Sequence, residues 1–237
     1  MIKLIVVQPG RKLASLGDVE GDFADWILDS MGVPRGDVRV VYPQDGDALP
    51  ALDQMKAVVI TGASTMVTDG EAWIGESTRW LAAVVTVGLP VLGICFGHQL
   101  LAHALGGEVA DNPHGIEVGT VLTRLTEAAR HDPLFSMWGR EEAVQASHRQ
   151  SVLTLPSAAV RLASSDKDLN HAFRIGEHAW GAQFHPEFNR RIACAYTDYY
   201  RSDLPAQGDD ADALIAAIRE TPCGPALLKA FAALIDA

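Results

Sequence analysis

The chain has 237 residues, 48% of them hydrophobic, and its 19 Lys and Arg residues against 30 Asp and Glu give a formal net charge of −11. This acidic balance argues against a broad basic face that binds nucleic acid or an anionic membrane surface. The three cysteines form no CxxC pair and the longest apolar region is broken by Gly88 and Pro90, so we expect a cytoplasmic protein with neither a disulfide framework nor a membrane span.

Buried strands and amphipathic helices alternate in the first part of the chain. Leu4 to Val7 is a short continuous apolar run, which is typical of a strand buried on both faces. A helix is predicted next, because apolar residues recur every four positions at Phe23, Ile27 and Met31. Further strands are predicted at Val38 to Tyr42, Ala57 to Thr61 and Pro90 to Ile94, and a helix at Trp73 to Val87. This alternation predicts a largely parallel sheet with helices on both faces.

From about Val109 onward, strand-like segments follow one another with few helices between them. They are Glu117 to Leu125, Ala143 to Ser147, Val160 to Ser164, Ala172 to Ile175 and Ala179 to Phe184. We expect a mixed or antiparallel continuation of the sheet that ends on a strand leading to His185. After Pro186 the chain is predicted to be helical, with breaks in the acidic loop at Asp209 to Asp212 and in a turn from Pro222 to Pro225.

The sequence shows no repeat, no low-complexity segment and no linker that would divide it. We therefore expect a single domain over residues 1–237, with a core at 1–190 and a helical C-terminal extension at 191–237.

The segment VLGICFGHQLLAHALGG, residues 91–107, carries the strongest chemical signal. A buried strand ends at Gly93-Ile94, Cys95 follows, and a helix is predicted from Phe96 to about Leu105. A nucleophile at such a sharp strand-to-helix turn projects from the sheet with its neighbouring amides free. The helix N-terminus favours a thiolate, and the amide after the nucleophile can donate to an oxyanion. The alternative is that Cys95 is a small buried core residue, as most free cysteines are.

The second signal is the segment GAQFHPEF, residues 181–188. His185 is expected at the end of an apolar strand, which Pro186 prevents from continuing. Glu187 can turn back to accept the proton on the far imidazole nitrogen. That hydrogen bond would fix the tautomer and stabilise the imidazolium that forms when Cys95 is deprotonated. The alternative is a histidine at a strand end with a solvated glutamate beside it.

The combination of GICFGHQ at residues 93–99 and FHPE at residues 184–187 resembles the class I glutamine amidotransferases, which have a Cys-His-Glu triad. The resemblance covers roughly residues 1–190. It implies an α/β fold with an open, mostly parallel sheet flanked by helices in a flavodoxin-like three-layer arrangement, and a nucleophile-elbow cysteine, followed here by C-terminal helices. It also implies that Cys95 attacks the amide carbon of glutamine, that ammonia leaves, and that water hydrolyses the γ-glutamyl thioester to glutamate.

Two further matches to this family concern the oxyanion hole and the substrate. Ile60 to Ser64 stands in the place of the family's oxyanion turn, so the resemblance assigns the backbone N–H of Ala63 as a second donor beside that of Phe96. Because the usual Gly-Gly-Pro form is absent, Gly62 stays open as the alternative donor. Gln99 matches a residue that contacts bound glutamine.

A third match is the segment SHRQSV, residues 147–152, which corresponds to the loop that receives the substrate's amino-acid end through backbone groups. It makes Ser147, Arg149 and Gln150 substrate-binding candidates. The family commonly has glycine where Arg149 stands, which leaves open whether free glutamine is the best substrate. The alternative is an ordinary polar loop.

No cofactor and no metal site is expected. His98 and His103 are five residues apart on a predicted helix, and therefore do not share a face as ligands at i and i+4 do. The sequence also lacks a glycine-rich phosphate-binding loop and a Ser-Gly-Gly-x-Asp-Ser pyrophosphatase motif.

The sequence therefore predicts an enzyme, a glutamine amidotransferase or glutaminase, which hydrolyses the γ-amide of glutamine and releases ammonia for an unidentified acceptor. Its partners would be a small-molecule substrate and an acceptor-activating synthetase. The chain also resembles the free-standing GMP-synthase-like members and the γ-glutamyl peptidases of the superfamily. Two alternatives thus stay open: a partner-independent γ-glutamyl peptidase or hydrolase, and a catalytically silent regulatory subunit. In a latent subunit, the oxyanion turn at Gly62 and Ala63 would not be aligned until a partner docks.

Overall fold

The computed structural model of the chain describes residues 2–235. The strands in this range are β1 (Leu4–Val7), β2 (Val38–Val41), β3 (Ala57–Ile60), β4 (Val91–Ile94), β5 (Glu108–Asp111), β6 (Glu117–Leu125), β7 (Glu141–His148), β8 (Gln150–Thr154), β9 (Ala159–Ser164), β10 (Ala172–Ile175) and β11 (Ala179–Ala182). The helices are α1 (Phe23–Met31), α2 (Ala72–Thr86), α3 (Phe96–Ala104), α4 (Arg190–Tyr199), α5 (Ala211–Ala217) and α6 (Cys223–Ile235). Residue 1 of the predicted domain and residues 236 and 237 of its predicted helical extension lie outside the described residues.

Nine of the described strands form one sheet, in the order β2-β1-β3-β4-β11-β10-β9-β6-β7, and β5 pairs with β8 in a separate ribbon. Neighbours from β2 to β11 pair in parallel. From β11 to β7 the pairing is antiparallel. The predicted parallel sheet with an antiparallel continuation and helices on both faces is therefore confirmed.

The parallel strands are buried on both faces, and their side chains alternate between two hydrophobic layers, one on each face of the sheet. On one face, Val6 belongs to a cluster with Ile27 of α1 and Phe231 of α6. On the other face, Ile5 belongs to a cluster with Leu81 of α2 and with residues of α3. The sheet is thus the middle of three layers, and the site described below lies at its carboxyl edge.

Helix α1 is fixed at both ends by its own sequence. Asp22 accepts a hydrogen bond from the backbone N–H of Phe23, and the side chain of Asp25 accepts one from the N–H of Asp22. Gly32 ends the helix with φ 71°, a left-handed conformation that suits glycine. Phe23 is thereby held at the first position of α1, where its ring centroid lies 6.1 Å from that of His185.

The structure corrects the loop predicted at residues 147–152. Strand β7 runs to His148 and β8 begins at Gln150, so only Arg149 separates the two strands. The physical reason is that β7 pairs with β6 in the main sheet whereas β8 pairs with β5 in the ribbon. The chain therefore turns from one sheet to the other without a loop.

A second correction concerns the turn predicted from Pro222 to Pro225. Helix α6 already begins at Cys223, because proline is tolerated in a first helical turn, where no intrahelical N–H bond is required. In the part of the chain that is described, no helix combines the length and apolarity needed to cross a membrane.

Candidate active site

The two sequence motifs meet because β4 and β11 are neighbouring parallel strands. Their register pairs Ile94 with Ala182, so both strands end at the same edge of the sheet. Cys95 follows β4 directly, and its N–H donates to the carbonyl of Ala182 at 2.8 Å. His185 lies three residues beyond the end of β11, and its N–H donates to the carbonyl of Gln145 at 2.8 Å. Adjacent strand ends thus bring a thiol and an imidazole into one site.

Cys95 has a strained backbone, with φ 51° and ψ −100°. Among the described residues, it is the one non-glycine residue with positive φ. Such conformations cost about 1–3 kcal/mol and persist only where the surrounding structure enforces them. At Cys95, close packing of the backbone enforces this conformation. A Cβ atom added at Gly93 would lie 2.3 Å from the carbonyl oxygen of Gly97. A Cβ atom added at Gly97 would lie 2.3 Å from the carbonyl oxygen of Ile60. The two glycines let α3 approach the strands closely enough to form the sharp turn.

His185 is buried and held from three sides. Its Nδ1 lies 2.8 Å from Oε1 of Glu187, whose side chain is fully buried. The Phe188 ring stacks on the imidazole with a centroid distance of 3.9 Å and an interplanar angle of 11°. Because Nδ1 faces the carboxylate, Nε2 of His185 is left for the thiol of Cys95.

Charge and burial act on His185 in opposite directions. Burial lowers its pKa, but the negative charges of Glu187 and Cys95 and the hydrogen bonds to both outweigh it and raise the pKa to about 10. The imidazolium is therefore favoured at neutral pH. A cation beside a thiol favours the thiolate, which is the nucleophilic form.

The turn after β3 lies against this pair. A Cβ at Gly62 would lie 2.8 Å from Cε1 of His185 and 3.7 Å from Cβ of Cys95, so glycine is required at this position. The Gly62 carbonyl accepts a hydrogen bond from the Thr61 hydroxyl at 2.9 Å. Ala63 packs so closely against Gly10 that a Cβ atom added at Gly10 would lie 2.8 Å from the Cα of Ala63. The backbone of this turn is thus fixed by contacts within the chain.

A cavity of about 330 Å³ opens over Cys95, within the size range of small-molecule sites. The structure brings most of the sequence-predicted site residues to its wall, namely Ala63, Cys95, Phe96, Gln99, Ser147, Arg149, Gln150 and His185. Gly62 and Glu187 do not line it. Glu187 is hydrogen-bonded to Nδ1 of His185, and Gly62 lies close to Cε1 of the same ring.

The side-chain amide N–H groups of Gln99 and Gln150 in the cavity wall are bonded to other groups of the protein. Gln99 donates through Nε2 to the carbonyl of Gln150 at 2.7 Å and to Oε1 of Gln183 at 3.0 Å. Gln150 donates through Nε2 to the Thr68 hydroxyl and to Asp111, while its buried Oε1 has no partner among the described residues. The carbonyl of Ser147 faces the Sγ of Cys95 at 3.6 Å.

Sequence analysis did not find the part of the wall that comes from the C-terminal extension and α1. The lining residues it did not predict there are Phe23, Tyr196, Tyr199, Tyr200, Ser202 and Asp203. The aromatic run Tyr199-Tyr200 is an unusual feature of a surface segment, but only the fold shows that it lies above Cys95.

A second set of buried residues, which sequence analysis did not single out as candidates, includes His148 of the cavity wall. Glu117, His148 and His171 are all buried, and their potential metal-binding atoms lie within 4.8 Å of one another. Nε2 of His148 and Nε2 of His171 lie 2.9 and 3.2 Å from the same oxygen, Oε2 of Glu117. The contact with His148 is a hydrogen bond, whereas Nε2 of His171 is close to the carboxylate but has no hydrogen-bond partner among the described residues. Ser165 donates to the other oxygen of Glu117 at 2.7 Å. The carboxylate therefore has the partners that a buried charge requires without a metal ion.

His148 donates from both ring nitrogens in this arrangement. Its Nδ1 lies 2.9 Å from the carbonyl of Gln150, while Nε2 faces Glu117. Burial lowers the pKa of His148, but the hydrogen bond and charge of Glu117 outweigh it and raise the pKa to about 9. The two buried charges stabilise each other, and the same hydrogen bonds also lower the pKa of Glu117 against the effect of its burial. The turn at Arg149 therefore rests on a buried ion pair.

Comparison with known proteins shows which protein family this chain matches. The profile of the family Glutamine amidotransferase class-I matches residues 16–193. Gamma-glutamyl peptidase 5 of Arabidopsis thaliana is 33% identical over 153 residues, which cover 64% of this chain and 59% of that protein. A GMP synthase (glutamine-hydrolyzing) of Pyrobaculum aerophilum is 34% identical over 150 residues, which cover 63% of this chain and 27% of that protein.

The fold also matches solved structures. A glutamine amidotransferase from Thermotoga maritima superposes with a TM-score of 0.77 over 99% of this chain and 98% of that chain, at 22% identity. At this identity the likeness concerns the fold. In the sequence comparisons, the chain spans about three fifths of the length of the peptidase and about a quarter of that of the synthase.

Proposed function

This chain belongs to the class-I glutamine amidotransferase family, and from that premise we propose that it hydrolyses γ-glutamyl amides with Cys95 as the nucleophile. One observation supports this role above all. A strained, buried cysteine, a buried histidine and a buried glutamate meet where two neighbouring strands end, beside a cavity of small-molecule size. Nucleophile, base and orienting acid are the three groups that covalent acyl transfer requires.

In the proposed first step, the thiolate of Cys95 attacks the γ-carbonyl carbon, and the carbonyl oxygen becomes an oxyanion. The N–H of Phe96 is one donor to it, because it is the first of α3 and has no intrahelical partner. The second donor is assigned to Ala63. In a trans peptide the C=O and N–H point in opposite directions, and the Thr61 hydroxyl holds the Gly62 carbonyl, which leaves the N–H of Ala63 on the other side.

The tetrahedral intermediate then collapses to a thioester. The C–N bond breaks, and the imidazolium of His185 gives its proton to the leaving nitrogen, which departs as ammonia or an amine. Neutral His185 next removes a proton from water, whose oxygen attacks the thioester. Breakage of the C–S bond releases the γ-carboxyl product and restores thiolate and imidazolium. Glu187 stabilises the cationic states of His185 throughout.

Glutamine is the first proposed substrate, with glutamate and ammonia as products. The relation to a glutamine-hydrolyzing GMP synthase supports this choice. If glutamine is the substrate, the ammonia would pass to an acceptor that a synthetase partner activates. The small-molecule substrate and the partner are both part of the proposal.

A γ-glutamyl peptidase is the second candidate, and a specific observation favours it. The Gly62-Ala63 turn is anchored by Thr61 and packed against Gly10 within this chain, so its alignment does not depend on a partner. Similarity to a gamma-glutamyl peptidase agrees with this candidate. A silent regulatory subunit is disfavoured, because nothing would preserve the strained Cys95 beside His185 and Glu187.

The deciding experiment compares kcat/KM of the purified chain for L-glutamine and for a panel of γ-glutamyl dipeptides, with Cys95→Ala as the blank. Hydrolysis of any of them that Cys95→Ala abolishes supports the proposed chemistry. Dipeptide efficiency a hundredfold or more above that of glutamine selects the peptidase. Slow turnover of every substrate, relieved by cell extract, selects the amidotransferase subunit. Turnover that survives in Cys95→Ala refutes the proposal.

A further inference from the structure

The segment HPEF, residues 185–188, forms a tight turn. The N–H of Phe188 donates to the carbonyl of His185 at 3.3 Å, which is the hydrogen bond between first and fourth residues that closes a β-turn. Proline suits the second position of such a turn because its ring fixes φ. Glu187, at the third position, reaches Nδ1 of His185. One short turn thus gives His185 an acid at its edge and an aromatic ring on its face.

The contact between the rings of His185 and Phe188 is a parallel stack. The ring centroids lie 3.9 Å apart and the planes differ by 11°. Each of the two residues is 3% exposed, so the contact is shielded from water. A cation over the face of an aromatic ring is attracted by the negative charge of that face, most strongly where water is excluded. The imidazolium form of His185 gains this attraction, and the neutral form does not.

Phe188 is itself held by aromatic side chains of α1 and α4. The ring centroid of Tyr196 lies 4.7 Å from that of Phe188. The rings of Trp26 and Phe23 each lie 6.2 Å from it, the first edge-on and the second stacked. All four belong to one cluster of buried side chains. Because both helices hold it, the Phe188 ring has little freedom to swing away from His185.

The stack fixes a motion of His185 that its other contacts leave open. The hydrogen bond to Glu187 holds one nitrogen but allows the imidazole to rotate about the line from Nδ1 to the carboxylate. Gly62 lies against the edge of the ring, at Cε1. Phe188 covers the face and so defines the plane of the imidazole. That plane determines whether Nε2 points to the thiol of Cys95.

We propose that Phe188 is a positioning residue for His185: its ring holds the imidazole in the plane in which Nε2 reaches Cys95 and the leaving nitrogen, and it stabilises the imidazolium relative to the neutral ring. The inference rests on the proposed role of His185 as proton donor to the leaving nitrogen. Phe188 does not line the cavity over Cys95, so it acts on the reaction through His185 and not through the substrate.

A substitution at Phe188 leaves in place the titratable groups around His185. Glu187 on the same turn and Cys95 before α3 are the groups whose charges raise its pKa. On α4, the ring of Tyr196 lies 6.3 Å from the imidazole, and burial raises the pKa of its phenol, so it stays neutral near pH 10. The first residue of α1 and the turn after β3 contribute no charge. A changed titration of His185 would therefore report the loss of the ring at position 188.

The test titrates His185 by NMR in protein with isotope-labelled histidine, and identifies its signal by its absence in His185→Ala. Phe188→Leu removes the ring but keeps a buried apolar side chain. Phe188→Tyr keeps the ring, and a cavity of about 400 Å³ that borders Phe188 can accommodate the added hydroxyl. The control is Phe231→Leu, the same change at a fully buried ring of α6 whose aromatic neighbour is Trp180 at 6.3 Å.

Two further measurements complete the design. Phe188→3,4,5-trifluorophenylalanine keeps the shape of the ring and weakens the negative charge of its face, so it tests the same contact if Phe188→Leu does not fold. The values of kcat and KM are measured for whichever of L-glutamine and γ-glutamylglycine the parent protein turns over faster.

The expected result is a shift that follows the ring. Phe188→Leu should lower the titration midpoint of His185 by about one pH unit and kcat about 10-fold, the size of a cation–π contact shielded from water, with KM nearly unchanged. The trifluorinated variant should shift both in the same direction by a smaller amount. Phe188→Tyr should restore both values. Phe231→Leu should lower the Tm and leave the midpoint of His185 unchanged.

Three results would overturn the proposal. They are an unchanged midpoint in folded Phe188→Leu or in the trifluorinated variant, the same shift in Phe188→Tyr as in Phe188→Leu, and an equal shift in Phe231→Leu. Because the NMR titration needs no turnover, these results differ from the failure of the proposed function, which appears as turnover that Cys95→Ala does not abolish.

Discussion

The backbone N–H of Cys95 donates to the carbonyl of Ala182 at 2.8 Å, and this hydrogen bond continues the ladder between β4 and β11 beyond the last residue of β4. One strand presents the thiol and the other leads to the imidazole. The positions of both groups are therefore set by the register of two buried parallel strands, in which a shift of one residue would move every side chain to the opposite face of the sheet.

The first prediction separates the roles of His185 and Glu187. Glu187→Gln removes the charge that orients and stabilises the imidazolium, and we expect kcat to fall on the order of 10⁴-fold, as in related triads. His185→Ala removes the group that transfers protons and should cost more. Circular dichroism checks that both variants are folded. Equal and complete loss of activity in two folded variants would contradict this division of roles.

The second prediction concerns pH. Burial lowers the pKa of His185, but Glu187 and Cys95 outweigh this effect and raise the pKa to about 10. The proton that His185 loses above that pH is the one that it gives to the leaving nitrogen. We therefore expect kcat/KM to hold through neutral pH and to fall as the pH rises through about 10. In Glu187→Gln the alkaline fall should begin at lower pH, because the charge that stabilises the imidazolium is gone. An alkaline limb at the same pH in both proteins would show that Glu187 does not set this pKa.

The third prediction concerns the oxyanion turn. Thr61→Val keeps the shape of the side chain but removes the hydroxyl that holds the carbonyl of Gly62, so the N–H of Ala63 is no longer fixed in the site. Complete loss of an oxyanion donor costs about 10² to 10³ in kcat. We expect a fall in kcat of about 10- to 100-fold for this partial loss, with KM nearly unchanged. Thr61→Ser should restore kcat, whereas a change in KM alone would point to a substrate contact instead.

The fourth prediction concerns the buried ion pair of Glu117 and His148. The pKa of His148 is about 9 in the folded protein, raised by Glu117 against the effect of burial, and about 6.5 in an unfolded chain. A raised pKa stabilises the fold fully below pH 6.5, and the stabilisation is lost as the pH rises through 9. This difference corresponds to ~3 kcal/mol. Urea unfolding between pH 6 and 9.5 should show this loss in the parent protein and a smaller loss in Glu117→Gln.

The control for this prediction is Glu141→Gln, which removes a half-exposed ion pair between Glu141 and Arg124 at the start of β7. Its effect on the free energy of unfolding should stay within about 1 kcal/mol. Because His185 titrates in an overlapping range in all three proteins, the informative quantity is the difference between the curves. Parallel curves for the parent and Glu117→Gln would show that Glu117 does not hold the proton on His148.

Much of this fold is predictable from local patterns. The bounds of β1, β6 and β10 match the prediction to the residue, because the residue pattern that identifies each strand lies within the strand itself. The candidate triad was predicted because its members lie in two short motifs. Strand β8 was not predicted, since its identity depends on pairing with β5, which lies far away in the sequence.

The same limit explains the site residues that were missed. Glu117 and His148 are paired across β6 and β7, and Asp203 meets Arg149 through the path of the C-terminal extension. Glu117 and Asp203 lie in no recognised motif, so their sequence environment is that of ordinary surface positions. Their interactions depend on tertiary contacts, which no periodicity encodes.

The most direct test of the central claim is covalent labelling of the nucleophile. A glutamine-mimicking electrophile should label one site per chain, peptide mapping should place that label on Cys95, and Cys95→Ala should lose both the label and all hydrolytic activity. Labelling of Cys194 or Cys223 with Cys95 unmodified would contradict the account.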